Sequence, residues 1–491
     1  TSHHVAVFIL TFFCYVWFHA TRKTFSNVKD DISKEWTPTP CNLTWPCPSP
    51  NKTWSSHNLF ESYDDAKPFL GLLDTVFMFC YAVGLYFSGI IGDRFELRKV
   101  LAVGMWLSGI LVFTFGTLTQ WVHFYNKAFY IVIWGLNGLA QSCGWPSVVA
   151  VMGNWFGKSS RGLIFGLWSS CASVGNIIGT LLASQVIDYG YEQAFLVTSV
   201  PLFCTGFIVF FGLVSSPTEI GLSDPNKVEP EIKPDETVCF QLASIREIIS
   251  DDEPLVVGSN PSVNEEDGDK NENETKPIGF FRAILLPGVI PYSLAYGCLK
   301  LVNYAFFFWL PYYLTNNFKW DDSKADDVST WYDVGGIIGG IVFGVITDRF
   351  ENRAPVLVGM LLVAPFTVWG YERSPNNVAI NSVLMSLIGI FVGGASNIIS
   401  SAVTAELGKQ PAVGQNVDAL ATVTGILDGT SSIFAAVGQY LVAVIQTNLG
   451  WDWVFYSFII MIILALICLI PMIANDVKTL WLKTRLTSSN E

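Results

Sequence analysis

Charged side chains are scarce in this chain. Asp, Glu, Lys and Arg supply 14% of 491 residues, against about a quarter in soluble globular proteins. Histidine is scarcer still, and His3, His4, His19, His57 and His123 fall at no metal-binding spacing. No nucleophile–base pair, Gly-rich phosphate loop or basic face occurs. These absences exclude a nucleic-acid binder and a metalloenzyme. No catalytic residue, metal or cofactor is expected, and a membrane enzyme such as a phosphatase ranks last among the function classes.

Long apolar stretches fill the space that charges leave. Val5–Trp17, Val100–Leu118, Phe195–Val214, Ser382–Ser401 and Val454–Ile473 approach the roughly 20 residues that cross a bilayer as a helix. Gly and Pro interrupt several of them, as bundled membrane helices tolerate. About twelve crossings are expected, near 4–27, 68–91, 97–119, 127–152, 161–184, 193–214, 285–315, 328–347, 354–371, 378–405, 415–446 and 453–474. The first is expected to be a crossing and not a cleavable signal, since about eleven more follow it.

The fold class is therefore an all-α membrane protein of two six-helix bundles, 1–214 and 284–475. A luminal loop (28–67) lies within the first bundle, and a cytosolic tail (476–491) follows the second. Between the bundles, 215–283 reads as an acidic, disordered cytosolic linker, and it supplies much of the net charge of −13.

Two independent signals orient the chain. Arg94, Arg98, Lys99, Lys158, Arg161, Arg349, Arg353, Lys409, Lys478, Lys483 and Arg485 collect on one side, which the positive-inside rule makes cytosolic, together with both termini. The loop on the other side carries sequons at Asn42 and Asn51, where glycosylation is expected, beside Cys41 and Cys47, a candidate disulfide. Asn273 is also a sequon but falls on the cytosolic linker. Cys14, Cys80, Cys143, Cys171, Cys204 and Cys468 lie within apolar runs and read as small core hydrophobes. Asp251–Val256 on the linker approximates an acidic dileucine-type sorting peptide. A chance match in an acidic segment is the equal alternative.

The chain repeats itself. Gly89-Ile-Ile-Gly-Asp93-Arg94-Phe-Glu-Leu-Arg98 is echoed by Gly344-Val-Ile-Thr-Asp348-Arg349-Phe-Glu-Asn-Arg353, each after the second crossing of its half. The pattern resembles the signature loop of the major facilitator superfamily. Asp93 and Asp348 can face helix N-termini. Arg94, Arg98, Arg349 and Arg353 can pair with carboxylates across the two halves and close the cytosolic side. Transporters built from such repeats hold substrate near the midplane between halves and rock around it.

The informative charges are embedded ones. Arg22 and Lys23 end the first crossing, and Lys300 lies deep in the seventh, about 20 Å from its start. A cation at that depth costs several kcal/mol unless it meets a partner or a wet cavity. No acid sits at comparable depth in either helix, so the two helices leave a place suited to an anion. Arg22 offers a planar fork for phosphate oxygens and Lys300 a point charge from the facing half. Arg22 and Lys23 point about 100° apart, so both do not reach one anion. Snorkelling to the interface is the alternative, for Lys23 above all. Asn303, Tyr304 and Ser173 complete the candidate substrate-binding set. Asp74 and Asp333 are expected near the starts of their helices, where the dipole accounts for them. Asp418, Asp428 and Glu406 are expected to pair with cytosolic arginines.

Gly144-Trp145-Pro146, Gly153-Asn-Trp-Phe-Gly157-Lys158, Arg161-Gly162 and Gly166-Leu-Trp168 resemble the organophosphate:phosphate antiporters. Arg22-Lys23-Thr24-Phe25 is similar to the animal sugar phosphate exchangers. So are His19–Lys29, Leu286–Tyr296, Trp331–Gly339 and Ala435–Tyr440, and the likeness covers nearly all but the linker. It implies a phosphate-linked antiporter in which a helix 1 arginine and a helix 7 cation, here Arg22 and Lys300, hold the phosphoryl group. The bacterial glycerol-phosphate members carry a histidine where this chain has Cys171-Ala172-Ser173, and a lysine where it has Leu85. The resemblance also implies a lysosomal or endoplasmic reticulum address, a single-pass glycoprotein partner, and bisphosphonate-like anions as further cargo. The expected function is alternating-access transport of a phosphorylated or phosphonated small anion, with inorganic phosphate as exchange partner and lipid as surroundings. The rival is a membrane scaffold or sensor that transports nothing and serves a partner protein.

Overall fold

The computed structural model describes residues 2–37, 58–61, 63–157, 161–223, 225, 276–350, 353–414 and 417–488. Asn42, Asn51, Cys41, Cys47, Asn273 and the 251–256 peptide lie outside the described residues.

Among the described residues, eleven helices are long and apolar enough to cross a membrane. They are α1 (Ser2–Asn27), α2 (Pro68–Arg94), α3 (Leu97–Trp121), α5 (Gly162–Tyr189), α6 (Tyr191–Gly212), α7 (Val289–Phe318), α8 (Asp327–Thr347), α9 (Ala354–Glu372), α10 (Val378–Gly408), α11 (Leu420–Leu449) and α12 (Trp451–Ala474). The remaining expected crossing, 127–152, is a broken helix, α4, in two pieces, Lys127–Gln141 and Gly144–Trp155. Pro146 causes the break. It has no N–H to offer the Ser142 carbonyl, and the Ser88 hydroxyl of α2 donates to that carbonyl instead, at 2.9 Å. Phe87, Phe211, Phe366 and Ile460 are exposed on the outside of the bundle, where a bilayer would cover them.

The segments between helices are shorter than the sequence suggests. A short helix, Lys29–Glu35, follows α1, and the α2 helix already begins at Tyr63. The linker's far end is built: Lys276–Pro277 pairs in parallel with Val417–Asp418, and Phe280–Ile284 is helical. The last helix runs on to Ser488 through most of the expected tail.

One hydrophobic core lies within α7–α12, and two others lie mainly within α1–α6. The halves meet along α2 with α11 and α5 with α8. A Cβ on Gly344 would stand 2.4 Å from the Gly162 carbonyl oxygen, and one on Gly425 would stand 2.4 Å from that of Leu85. Only glycine allows the backbones so close. Both contacts lie on the Asp93/Asp348 side of the molecule, which is shut.

Candidate functional site

Aspartates fasten the shut side. Asp93 accepts from Ala421 N and Thr422 N at 2.8 and 2.7 Å, at the start of α11. Asp348 accepts from Gly162 N and Leu163 N at 2.6 and 2.7 Å, at the start of α5. Each carboxylate satisfies otherwise unpaired helix N-terminal donors of the opposite half and complements the helix dipole. The arginines do not cross as expected. Arg98 pairs with Glu96. Buried Arg353 meets Glu406 at 2.8 Å and Asp348 at 3.6 Å. Each of these pairs lies within one half: Glu96 and Asp348 belong to the loops themselves, and Glu406 ends α10. Arg94 and Arg349 are exposed. Glu96, between Lys99 at 2.7 Å and Arg98, is held below the usual carboxylate range by Lys99 first.

Between the halves lies a cavity of about 150 Å³, lined by α1, α2, α4, α5, α7, α8, α10 and α11. Arg22, Lys23, Lys300, Asn303, Tyr304 and Ser173 all line it. Arg22 is 8% exposed. Its Nε donates to Gln141 Oε1 at 2.6 Å. Gln141 is aimed by its own amide nitrogen, which donates to Thr21 and Ser108 at 3.2 and 3.1 Å. That leaves its oxygen for the guanidinium. Arg22 Nη1 and Nη2 are buried and have no hydrogen-bond partner among the described residues. The guanidinium lies over the Tyr81 ring, 4.3 Å from its centroid, a cation–π contact.

Lys300 overturns the expectation of an unpaired cation. Its Nζ donates to Asp428 Oδ1 at 2.5 Å and to Ser432 Oγ at 2.8 Å, with both charged side chains about 5% exposed or less. The neutralising acid is Asp428 of α11, which the absence of acids along α1 and α7 does not reveal. Asp428 is thereby a partner of Lys300 and not of a cytosolic arginine. It also accepts from Tyr81 OH at 3.1 Å and Tyr296 OH at 3.3 Å. Tyr81 thus joins the halves: its ring carries Arg22 and its hydroxyl holds the counter-ion of Lys300.

Asp74 and Asp333 also depart from expectation. Each sits about three turns inside its helix, because the helices begin at Tyr63 and Asp322, well before the apolar runs. Asp74 is ion-paired with Lys29. Asp333 Oδ1 accepts from Asn176 Nδ2 at 3.2 Å. Lys23 lies over the Phe307 ring at 4.4 Å, across the halves. Asn303 is held by Ser396 and Tyr332, so its amide serves the cavity wall.

Gln141, Tyr81, Asn176 and Ser396 were missed in the sequence reading, which searched membrane spans for charge. The signal available was a neutral polar residue in an otherwise apolar helix, as in Gly138-Leu-Ala-Gln141.

Two pseudo-repeated bundles around a charged midplane cavity, shut at one side by paired aspartates, define a multi-pass membrane transporter of the alternating-access kind. The sequence comparisons agree. Residues 53–417 and 292–488 match the Major Facilitator Superfamily. The chain is 55% identical to sugar phosphate exchanger 3 of Gallus gallus over 99% of this chain and 95% of that protein. It is 56% identical to the Mus musculus protein of the same name over 100% and 97%. It is 37% identical to a glucose-6-phosphate exchanger of Xenopus tropicalis over 96% and 93%. The chain belongs to the sugar phosphate exchanger family of the major facilitator superfamily, a family of transporters and not of enzymes.

Proposed function

We propose that this protein exchanges a phosphorylated small organic anion, a sugar phosphate foremost, for inorganic phosphate by alternating access. One observation carries the reading: among the described residues, the two terminal nitrogens of Arg22 are buried in the cavity without a hydrogen-bond partner. Their geometry suits two oxygens of one phosphoryl group. Lys300 lies beside the same Tyr81 ring, 5.8 Å from its centroid, and supplies charge from the other half. Bound anion completes Arg22 and draws on Lys300, so the loaded carrier closes more readily than the empty one.

In this reading Asp93 and Asp348 latch the cytosolic side, with Arg98 and Arg353 holding the loops that present them. Both termini are cytosolic, and the sequon loop is luminal and glycosylated. The relatives' names support sugar phosphates as cargo. A lysosomal or endoplasmic reticulum address and a single-pass glycoprotein subunit rest on the family likeness, and a lipid surrounding on the exposed apolar outer face.

Counterflow in proteoliposomes tests the exchange. Radiolabelled phosphate should enter phosphate-loaded vesicles quickly and empty ones slowly, and Arg22→Ala should abolish both. Equal rates with an empty interior would refute obligate exchange.

A further inference from the structure

A second polar cluster lines the same cavity. From α8, Asp333 receives the Asn176 amide of α5, and Asn176 Oδ1 lies 3.0 Å from His19 Nδ1 of α1. Ser173, almost one turn before Asn176, also lines the cavity. Among the described residues, no ion pair or hydrogen bond joins Asp333 to Arg22 or Lys300, and the cation acting on it is Lys23. The cavity therefore has a phosphoryl-binding cluster and a separate cluster built around a carboxylate.

A carboxylate in an anion carrier repels the phosphoryl group, so it must face another part of the cargo. It carries about four lone-pair sites and no donor. Asn176 uses one of them, and the side chain lines the cavity with the remainder. What it accepts is a hydrogen-bond donor, and what it rejects is a second negative charge. The geometry points to Asp333 as a specificity-determining residue that selects a donor-rich, polyol-like organic part and disfavours a carboxylated one. The inference rests on the phosphate-antiport reading above, which places the phosphoryl group at Arg22.

The test uses the full chain in phosphate-loaded proteoliposomes, with radiolabelled phosphate self-exchange as the baseline. Glucose 6-phosphate and 2-phosphoglycolate, a phosphate ester with a carboxylate tail, compete for that exchange. In Asp333→Asn, inhibition by the two competitors is read against that variant's own self-exchange rate. The preference for glucose 6-phosphate over 2-phosphoglycolate should fall about tenfold or more, the loss expected for a hydrogen bond to a charged acceptor together with relief of like-charge rejection. Asn176→Ser should move the ratio the same way by less. An unchanged ratio with self-exchange intact would overturn the inference alone. Loss of self-exchange in Asp333→Asn would also overturn it, by making Asp333 part of the closing machinery. Absence of self-exchange in the wild type would overturn the antiport reading itself.

Discussion

Lys300→Ala removes the cation from a carboxylate that is itself 5% exposed. Breaking a buried pair on one side strands the other charge, at a cost of about 3–5 kcal/mol. Asp428 keeps the Tyr81 and Tyr296 hydroxyls at 3.1 and 3.3 Å, which places the loss at the lower end, about 3 kcal/mol. Asp428→Ala should cost a similar amount, because Lys300 would keep only the Ser432 hydroxyl and the Asp428 position's carbonyl as acceptors. The double variant Lys300→Ala/Asp428→Ala removes both charges and should recover most of either loss. Melting followed by tryptophan fluorescence in phosphate-free detergent compares the four proteins. Each single variant should melt several degrees below wild type, and the double should melt above both. Lys300→Ala melting at or above wild type would refute the pair as a stabilising contact and restore the unpaired cation read from the sequence. Phosphate exchange should be lost in both variants lacking Lys300, and normal flux in Lys300→Ala would remove it from the site. Lys300→Arg keeps the charge but widens it into a planar fork, so binding should survive better than turnover.

Gln141→Leu takes away the acceptor that aims Arg22. Phosphate exchange should show a KM raised about tenfold or more with little change in expression; an unaltered KM would leave Gln141 a packing residue. Asp93→Ala/Asp348→Ala removes both cross-half caps, each worth about 0.3–1 kcal/mol from the dipole alone. A cysteine placed at Ser400 in a cysteine-depleted background should then react faster with an impermeant thiol reagent from the cytosolic side, and an unchanged rate would deny the caps a latching role. Glycosidase treatment should lower the mass of the wild type and leave Asn42→Gln/Asn51→Gln unaltered. A mass loss that persists in the double variant would overturn the topology.

The fold was largely legible because the bilayer imposes length and apolarity on each crossing, and because the Asp93 and Asp348 loops repeat. The broken α4 was half-legible: Pro146 stands in the sequence, but the Ser88 hydroxyl that makes the break tolerable comes from another helix. Membership of the cavity was legible for Arg22, Lys23 and Lys300, since a buried cation in an apolar helix announces itself. Pairing was not. Asp428 lies 128 residues from Lys300, and helical periodicity says nothing of which helices neighbour each other. Asp74 and Asp333 misled for a different reason. Their helices begin with polar turns, Tyr63–Lys67 and Asp322–Asp326, that hydropathy places outside the membrane, so both acids seemed to be at helix starts.

The charges lining the cavity bear on how an anion is chosen. Three cations, Arg22, Lys23 and Lys300, face three carboxylates, Asp74, Asp333 and Asp428, so a general positive potential is not the source of selectivity. Lys300 is already satisfied by Asp428, and Lys23 shares its field with Asp333. Among the described residues, Arg22 alone of the three cations has buried donor atoms without acceptors, and burial makes such donors costly to leave unmade. In the proposed exchange, an entering phosphoryl group gains most at Arg22. To reach Lys300 as well it must compete with Asp428, whose carboxylate Tyr81 holds from the opposite half. Engagement of Lys300 by cargo therefore loosens its pair with Asp428 inside the second half, while engagement of Arg22 adds a contact between cargo and the first half. The empty carrier keeps the Tyr81–Asp428 tie and the unmade Arg22 bonds together, a combination that resists rearrangement without cargo and favours exchange over net flux.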